Sequence, residues 1–207
     1  KRHLAYEDYK AGRTKMPEEM AQQIPLIHDY LKYKGIYDTS LDGYEADDII
    51  GTLSKLGNLD LQVEIYSSDK DLLQLINDNV TVRLIKKGMT DIRDMTPTTF
   101  FEEYGISHEY MVDLKGLMGD ASDNIPGVPG VGEKTAIKLI KEYGNLDQIF
   151  EHKHEITGKL GQTLIEKEDY ARKSFDLAKI DTNVPIDFGL NAIKRNGVDV
   201  EGLTKFY

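Results

Sequence analysis

Carboxylates are the side chains whose placement here could do chemistry. Seven fall in three short stretches: Glu45, Asp47 and Asp48 in GYEADDIIGTL (43–53), Asp69 and Asp71 around Lys70 in YSSDKDLLQL (66–75), and Asp120 and Asp123 in GLMGDASDNIPG (116–127). Crowded acids repel and lose protons with difficulty unless cations neutralise them. Each stretch also has a plainer reading. Acids suit a first helical turn, Asp69 could cap a helix with Asp71 in its first turn, and Asp120 and Asp123 could form a polar turn. Their joint occurrence favours a metal centre, because two of the clusters sit at strand and helix junctions, where α/β sheets place their sites. A period of two sets Asp69 and Asp71 on one side of a strand end, and a spacing of three aligns Asp120 and Asp123 across one helical turn. All-oxygen donors suit Mg²⁺ or Mn²⁺ over Zn²⁺. Two such ions about 4 Å apart activate water and stabilise the leaving oxygen in phosphodiester hydrolysis.

The five histidines (His3, His28, His108, His152, His154) have no metal-type spacing and read as structural or exposed. No Ser/His/Asp arrangement supports covalent hydrolysis. Asp69-Lys70-Asp71 could instead serve a Mg²⁺ phosphatase, which would leave the glycine hairpin described next without a role.

IPGVPGVGEKTAIKLIKEYG (125–144) is the most specific local signal. Gly127, Gly130 and Gly132 form a tight turn entering a helix that carries Ala136, Ile137, Leu139 and Ile140 inward. Its amides and helix N-terminus make an anion site, with Lys134, Lys138 and Lys141 outward. This fits a helix-hairpin-helix grip on DNA phosphates, blind to base sequence. A plain Gly-rich connector is the rival reading, and the spacing of a Walker-type phosphate loop is absent. The turn's carbonyls offer a monovalent cation, K⁺, an optional place.

The elements that must position these groups follow an α/β rhythm. Pro17, Glu18 and Glu19 start a helix running toward Lys34, kinked by Pro25 and stopped by Gly35. A second helix spans about 46–56. Leu61, Val63 and Ile65 mark a strand, Asp71 onward a helix, and Val80 to Ile85 another strand. MTDIRDMTP closes this part as a turn and cap. From about Thr98 helical patterns dominate, the last a long helix from about Lys159 to Lys179. The expected organisation is a partial α/β core with a basic helical arch over 1–96, a helical domain over 97–190 and a C-terminal appendage over 191–207.

The chain has 207 residues, 40% hydrophobic and 30% charged, enough for a sizeable core. It has no Cys, which excludes disulfides, thiolate zinc sites and a cysteine nucleophile, and suits the cytosol. No apolar run approaches the ~20 residues a bilayer span needs. The net charge is −10, yet residues 1–15 carry Lys1, Arg2, Lys10, Arg13 and Lys15 against Glu7 and Asp8, and a second basic run covers Arg83, Lys86, Lys87 and Arg93. Local positive patches coexist with a negative total.

In order, YKAGRTKMPEEM, GYEADDIIGTL, YSSDKDLLQL and GLMGDASDNIPGVPGVGEKTA resemble the 5′ nuclease (5′-to-3′ exonuclease) domain of bacterial DNA polymerase I, in the flap endonuclease family. The resemblance implies a PIN-like nuclease core, mainly parallel in its sheet, followed by a helical DNA-binding domain. It implies a bacterial, cytoplasmic and nucleoid-associated monomer that cuts 5′ flap or nicked DNA, and primer RNA, with two Mg²⁺ or Mn²⁺ ions in replication and repair. Glu45, Asp47, Asp48, Asp69, Asp71, Asp120 and Asp123 resemble its metal-binding acids. Tyr9, Lys10 and Arg13 match its basic motif at the base of the arch, where cations face the scissile phosphate and the aromatic stacks on a base. Arg2, Gly127, Gly130, Gly132, Lys134 and Lys138 match its DNA contacts. Family members carry a strand and further metal-ligand aspartates ahead of the segment matched here, and a polymerase region follows in such parents. The alternative is therefore a catalytically incomplete DNA-binding fragment.

Overall fold

The computed structural model describes residues 2–56, 61–88 and 90–207; Lys1 and the side chains of His3 and Leu56 lie outside the described set. The elements in chain order are α1 (Arg2–Ala5), α2 (Glu18–Ala21), α3 (Ile24–Tyr33), α4 (Ala46–Leu56), β1 (Val63–Ser67), β2 (Val80–Lys87), β3 (Asp91–Met95), α5 (Pro97–Tyr104), α6 (Met111–Met118), α7 (Glu133–Tyr143), α8 (Leu146–Glu151), α9 (Gly158–Glu166), α10 (Glu168–Ala178) and α11 (Val200–Phe206). Short 3-10 turns cover Lys70–Leu75 and His108–Tyr110.

The α/β class is as the sequence suggests, but the sheet is mixed. β1 pairs parallel with β2, Ile65 opposite Val82, and β3 returns antiparallel with Val82 opposite Met95. DIRDM was expected to be turn. It is a strand because it lies along β2, and its exposed, charged residues carry little periodic signal of their own. Thr96 then starts α5 through a capping box with Thr99.

Two helices expected to be continuous are divided. Pro25 lies in the first turn of α3, so the chain breaks at Gln22–Gln23 where a kink was predicted. The 159–179 stretch breaks at Lys167, which caps both α9 and α10.

One apolar core runs through the sheet and the helical part, joining Ile65, Val82, Met95, Phe100, Leu114 and Ile149. α6 lies against α10 where Gly116 allows close approach; a Cβ there would stand 3.1 Å from Phe175 Cβ. The end of the chain folds back on α3. Phe206 meets Tyr30 and Tyr33 at ring separations of 6.1 and 6.0 Å, and the Asp199 amide donates to the Tyr33 carbonyl at 2.8 Å.

Candidate active site

α4 starts the site. Ile49 turns into the protein, and the acids ahead of it occupy the first turn, where the helix N-terminus favours negative charge. Asp48 is 3% exposed and its oxygens are fully engaged. Arg2 donates Nη1 to Oδ2 at 2.9 Å and Nη2 to Oδ1 at 2.8 Å, while the amides of Asp181 and Glu45 donate at 2.9 and 3.2 Å. Burial works against this carboxylate, but the guanidinium and the two amides hold its pKa below the ordinary value.

The basic segment packs against the 120–125 turn. Lys10 has a left-handed backbone, φ +59°, secured by its amide donating to the Asp123 carbonyl at 2.9 Å. Asn124, φ +56°, answers from the other side by donating Nδ2 to the Asp8 carbonyl at 2.8 Å. Strained residues of this kind persist only where their surroundings over-determine them. Lys10 Nζ pairs with Glu45 at 2.7 Å and lies 3.7 Å from Asp123, whose Oδ1 takes Arg13 Nη2 at 2.5 Å. The Tyr9 hydroxyl lies 3.2 Å from Glu45 Oε2 and 3.1 Å from Asp123 Oδ2 and can donate to one at a time. Burial, then the charges of Glu45 and Asp123, push its pKa up.

This corrects the stacking role expected for Tyr9. The residue is 2% exposed, in a small core with Ile125, Leu177 and Ala178, and offers no face to a base. Arg2 departs from its expected role as well, since its donors are spent inside the protein.

The second group of acids is arranged differently. Asp69 does not end the strand, which stops at Ser67; it caps the 3-10 turn by accepting from the Asp71 amide at 2.9 Å. Asp120 and Asp123 do not share a helical turn either. Asp120 bridges to Ile125 across a tight turn and pairs with Lys115, while Asp123 faces the basic segment. Lys115, 7% exposed on α6, stands between Asp120 and Asp71, with Nζ 2.6 Å from Asp71 Oδ1. The buried Asp71 Oδ1 thus has the Lys115 ammonium as its charge-assisted partner.

Burial, then Asp69, Asp71 and Glu45, raise the Asp47 pKa to about 6, with Lys10 opposing. Asp71 is raised by burial, against the pull of Lys115. Burial alone would lower the Lys115 pKa, but Asp71 and Asp120 together hold it above the ordinary value. Sequence reasoning missed this lysine. Its signal was a lysine inside the largely apolar run MVDLKGLM, five residues before Asp120.

Among the described residues, no three acidic or imidazole groups converge closely enough to hold an ion as they stand. The seven acids form two groups instead. Glu45, Asp48 and Asp123 are paired with Arg2, Lys10 and Arg13. Asp47 and Asp71 feel the charge of Asp69 and of each other, Asp71 also that of Asp120, and Lys115 is the ion-pair partner of Asp71 and Asp120. The second group fits a hard divalent cation: its donors are all oxygens, and its four carboxylates stand against one paired ammonium, with burial and mutual repulsion raising Asp47 and Asp71.

The hairpin is also divided. Gly127 is buried, packs against the Gly119 backbone and gives its amide to Ser174 Oγ at 2.9 Å, so it cannot donate to a phosphate. Gly130 and Gly132 are exposed with open space about them. Gly132 begins α7 without a side-chain cap, and Lys134, Lys138 and Lys141 are exposed on that helix. Half of the second basic run is neutralised, Arg83 by Glu64 and Asp94 and Arg93 by Glu103.

A mixed sheet whose β1 and α4 ends carry acids, continued by a helical unit with a glycine hairpin, is the arrangement of a resolvase-like nuclease domain with its helical partner. Residues 1–105 match the 5′-3′ exonuclease N-terminal resolvase-like domain, and residues 106–201 match the 5′-3′ exonuclease C-terminal SAM fold. The chain belongs to the 5′-3′ exonuclease family. It is 46% identical over 202 residues to DNA polymerase I of Bacillus subtilis and 47% identical over 204 residues to that of Streptococcus pneumoniae. These alignments cover 97% and 98% of the chain but 23% of each relative's length. A structure of bacteriophage T5 5′-exonuclease with bound zinc matches at TM-score 0.72 and 28% identity, covering 99% of this chain and 76% of that one. The catalytic core of Rad2 in complex with DNA shares the fold at TM-score 0.65 and 18% identity, over 98% of this chain and 68% of that one. No helix among the described residues is long and apolar enough to cross a membrane.

Proposed function

We propose that this chain is the nuclease part of a metal-dependent enzyme that hydrolyses phosphodiester bonds in 5′ flap or nicked DNA, and in primer RNA, during replication and repair. The observation that carries the reading is the surplus of negative charge at Asp47, Asp69, Asp71 and Asp120. Such a surplus is tolerable when cations enter it. These four residues would hold Mg²⁺ or Mn²⁺, with Glu45 and Asp123 next to them across the site. When bound, the two ions supply water activation and stabilisation of the leaving oxygen.

The chain's own groups do the rest. Lys10 and Arg13 form the cationic edge nearest the acids and receive the scissile phosphate, exchanging Glu45 and Asp123 for it as the strand arrives. Tyr9 keeps those two carboxylates apart from its buried position. Asp48, saturated by Arg2 and two amides, holds the start of α4 in place and need not touch an ion. Gly130, Gly132, Lys134 and Lys138 grip duplex phosphates one domain away, with K⁺ an optional guest of the turn. The enzyme acts as a monomer in the bacterial cytoplasm, joined in its parent to a polymerase region.

The test is cleavage of a 5′ flap substrate with Mg²⁺ by the protein that carries this chain. Asp69→Ala and Asp71→Ala are expected to lower the rate at least about a hundredfold, as loss of groups around a metal does. Unchanged cleavage in both would overturn the reading. Salt-sensitive flap binding without any cleavage would instead favour a DNA-binding fragment with no turnover.

A further inference from the structure

We propose that Arg2 is a positioning residue that clamps the start of α4 to the end of α10, and that it makes no contact with DNA. The inference rests on the nuclease reading only for its kinetic consequence. A guanidinium has five N–H donors in a rigid fork. Nε donates to the Leu177 carbonyl at 2.9 Å and one Nη2 hydrogen to the Lys179 carbonyl at 2.8 Å, both at the C-terminal end of α10. Nη1 and Nη2 hold the two oxygens of Asp48, and the remaining Nη1 hydrogen faces Glu45 Oε2 at 3.5 Å. Four of the five donors are hydrogen-bonded inside the protein and the fifth lies against Glu45, which leaves the guanidinium poorly placed for a phosphate.

The carbonyls matter as much as the carboxylate. The last carbonyls of a helix have no partner inside it, and a cation there is favoured by the helix dipole. Arg2 therefore satisfies two ends at once, the anionic first turn of α4 and the carbonyl end of α10. Asp48 in turn receives the amides of Glu45 and Asp181, so the clamp reaches the residue before α4 and the segment after α10. Glu45 and Asp47 stand directly ahead of this fixed point, where Glu45 pairs with Lys10 and Asp47 feels the charges of Asp69 and Asp71. The cavity beside the guanidinium is lined by acids as well as bases, Asp48, Asp176 and Asp181 with Lys173 and Lys179, which disfavours an anion there.

The experiment compares Arg2→Lys and Arg2→Ala in the protein that carries this chain. Flap binding is measured in EDTA across a salt series. A positioning role leaves the slope of log affinity against log salt unchanged in both variants, whereas loss of a phosphate contact lowers it by about one. At saturating DNA with Mg²⁺, kcat is expected to fall about 10–100-fold with KM nearly unchanged, the size seen when a supporting partner of a metal site is removed. Arg2→Lys keeps the charge but not the fork and is expected to recover only part of that loss. Hydrogen exchange at the Glu45 and Asp181 amides should accelerate in both variants, a readout that needs no activity. A reduced salt slope, or unchanged exchange at those amides, overturns the proposal. If the unaltered protein does not cleave, the nuclease reading fails while slope and exchange still decide the role of Arg2.

Discussion

The two halves of the acidic site differ in charge balance although they lie side by side. In one, three carboxylates (Glu45, Asp48, Asp123) meet three cations of the chain (Arg2, Lys10, Arg13). In the other there are four carboxylates (Asp47, Asp69, Asp71, Asp120), of which Asp71 and Asp120 share the ammonium of Lys115. The balanced half is a scaffold that holds α1, α4 and the 120–125 turn together without help. On the proposed function, the unbalanced half is where a divalent ion would lower the energy most.

The largest expected effect falls on the balanced half. Asp48→Ala leaves the part-buried Arg2 guanidinium with only the more distant Glu45 as counter-ion and should cost about 3–5 kcal/mol of stability in EDTA, read by denaturant unfolding. Added Mn²⁺ should restore none of it. Lys115→Met removes the ammonium paired with Asp71 and Asp120 and should cost about 3 kcal/mol in EDTA, but here Mn²⁺ should restore more than half, because an ion bound to the folded state substitutes for the ammonium. Equal rescue of the two variants would erase the distinction between the halves.

The smallest effect has the opposite sign. The Asp47 pKa of about 6 lies above its ordinary 3.8. The folded protein thus holds this proton more tightly than the unfolded chain, and the group's contribution to stability falls as pH rises from 3.8 to about 6, staying low above that. At ~1.36 kcal/mol per unit, reduced for the partial exposure of the group, Asp47→Asn should add about 1 kcal/mol at pH 7 in EDTA and flatten that window. Asp48 and Asp120, held below the ordinary value, behave inversely: what they contribute is lost as pH falls through their folded values.

Much of this was legible in the sequence where signal and structure are both local. The apolar spacing after Asp48 placed α4 at 46–56, and its observed span is Ala46–Leu56. The inward face of α7 was readable for the same reason. β3 was not, because a charged edge strand is defined by its neighbour β2 and not by its own pattern. In the site, the acids could be read singly but their partners could not. Tyr9 is buried by Ile125, Leu177 and Ala178, and Arg2 is consumed by carbonyls of residues 177 and 179, all more than a hundred positions away. Spacing rules speak for a single turn of chain; which cation reaches which carboxylate is decided by tertiary packing.

The most direct test of the charge imbalance is a crystal structure of the protein with Mn²⁺, located by its anomalous signal. The ion should appear among Asp47, Asp69, Asp71 and Asp120, with Lys115 displaced and Asp48 still held by Arg2. Manganese bound at Asp48 with Arg2 expelled, or no manganese near the four acids at saturating concentration, would contradict the account.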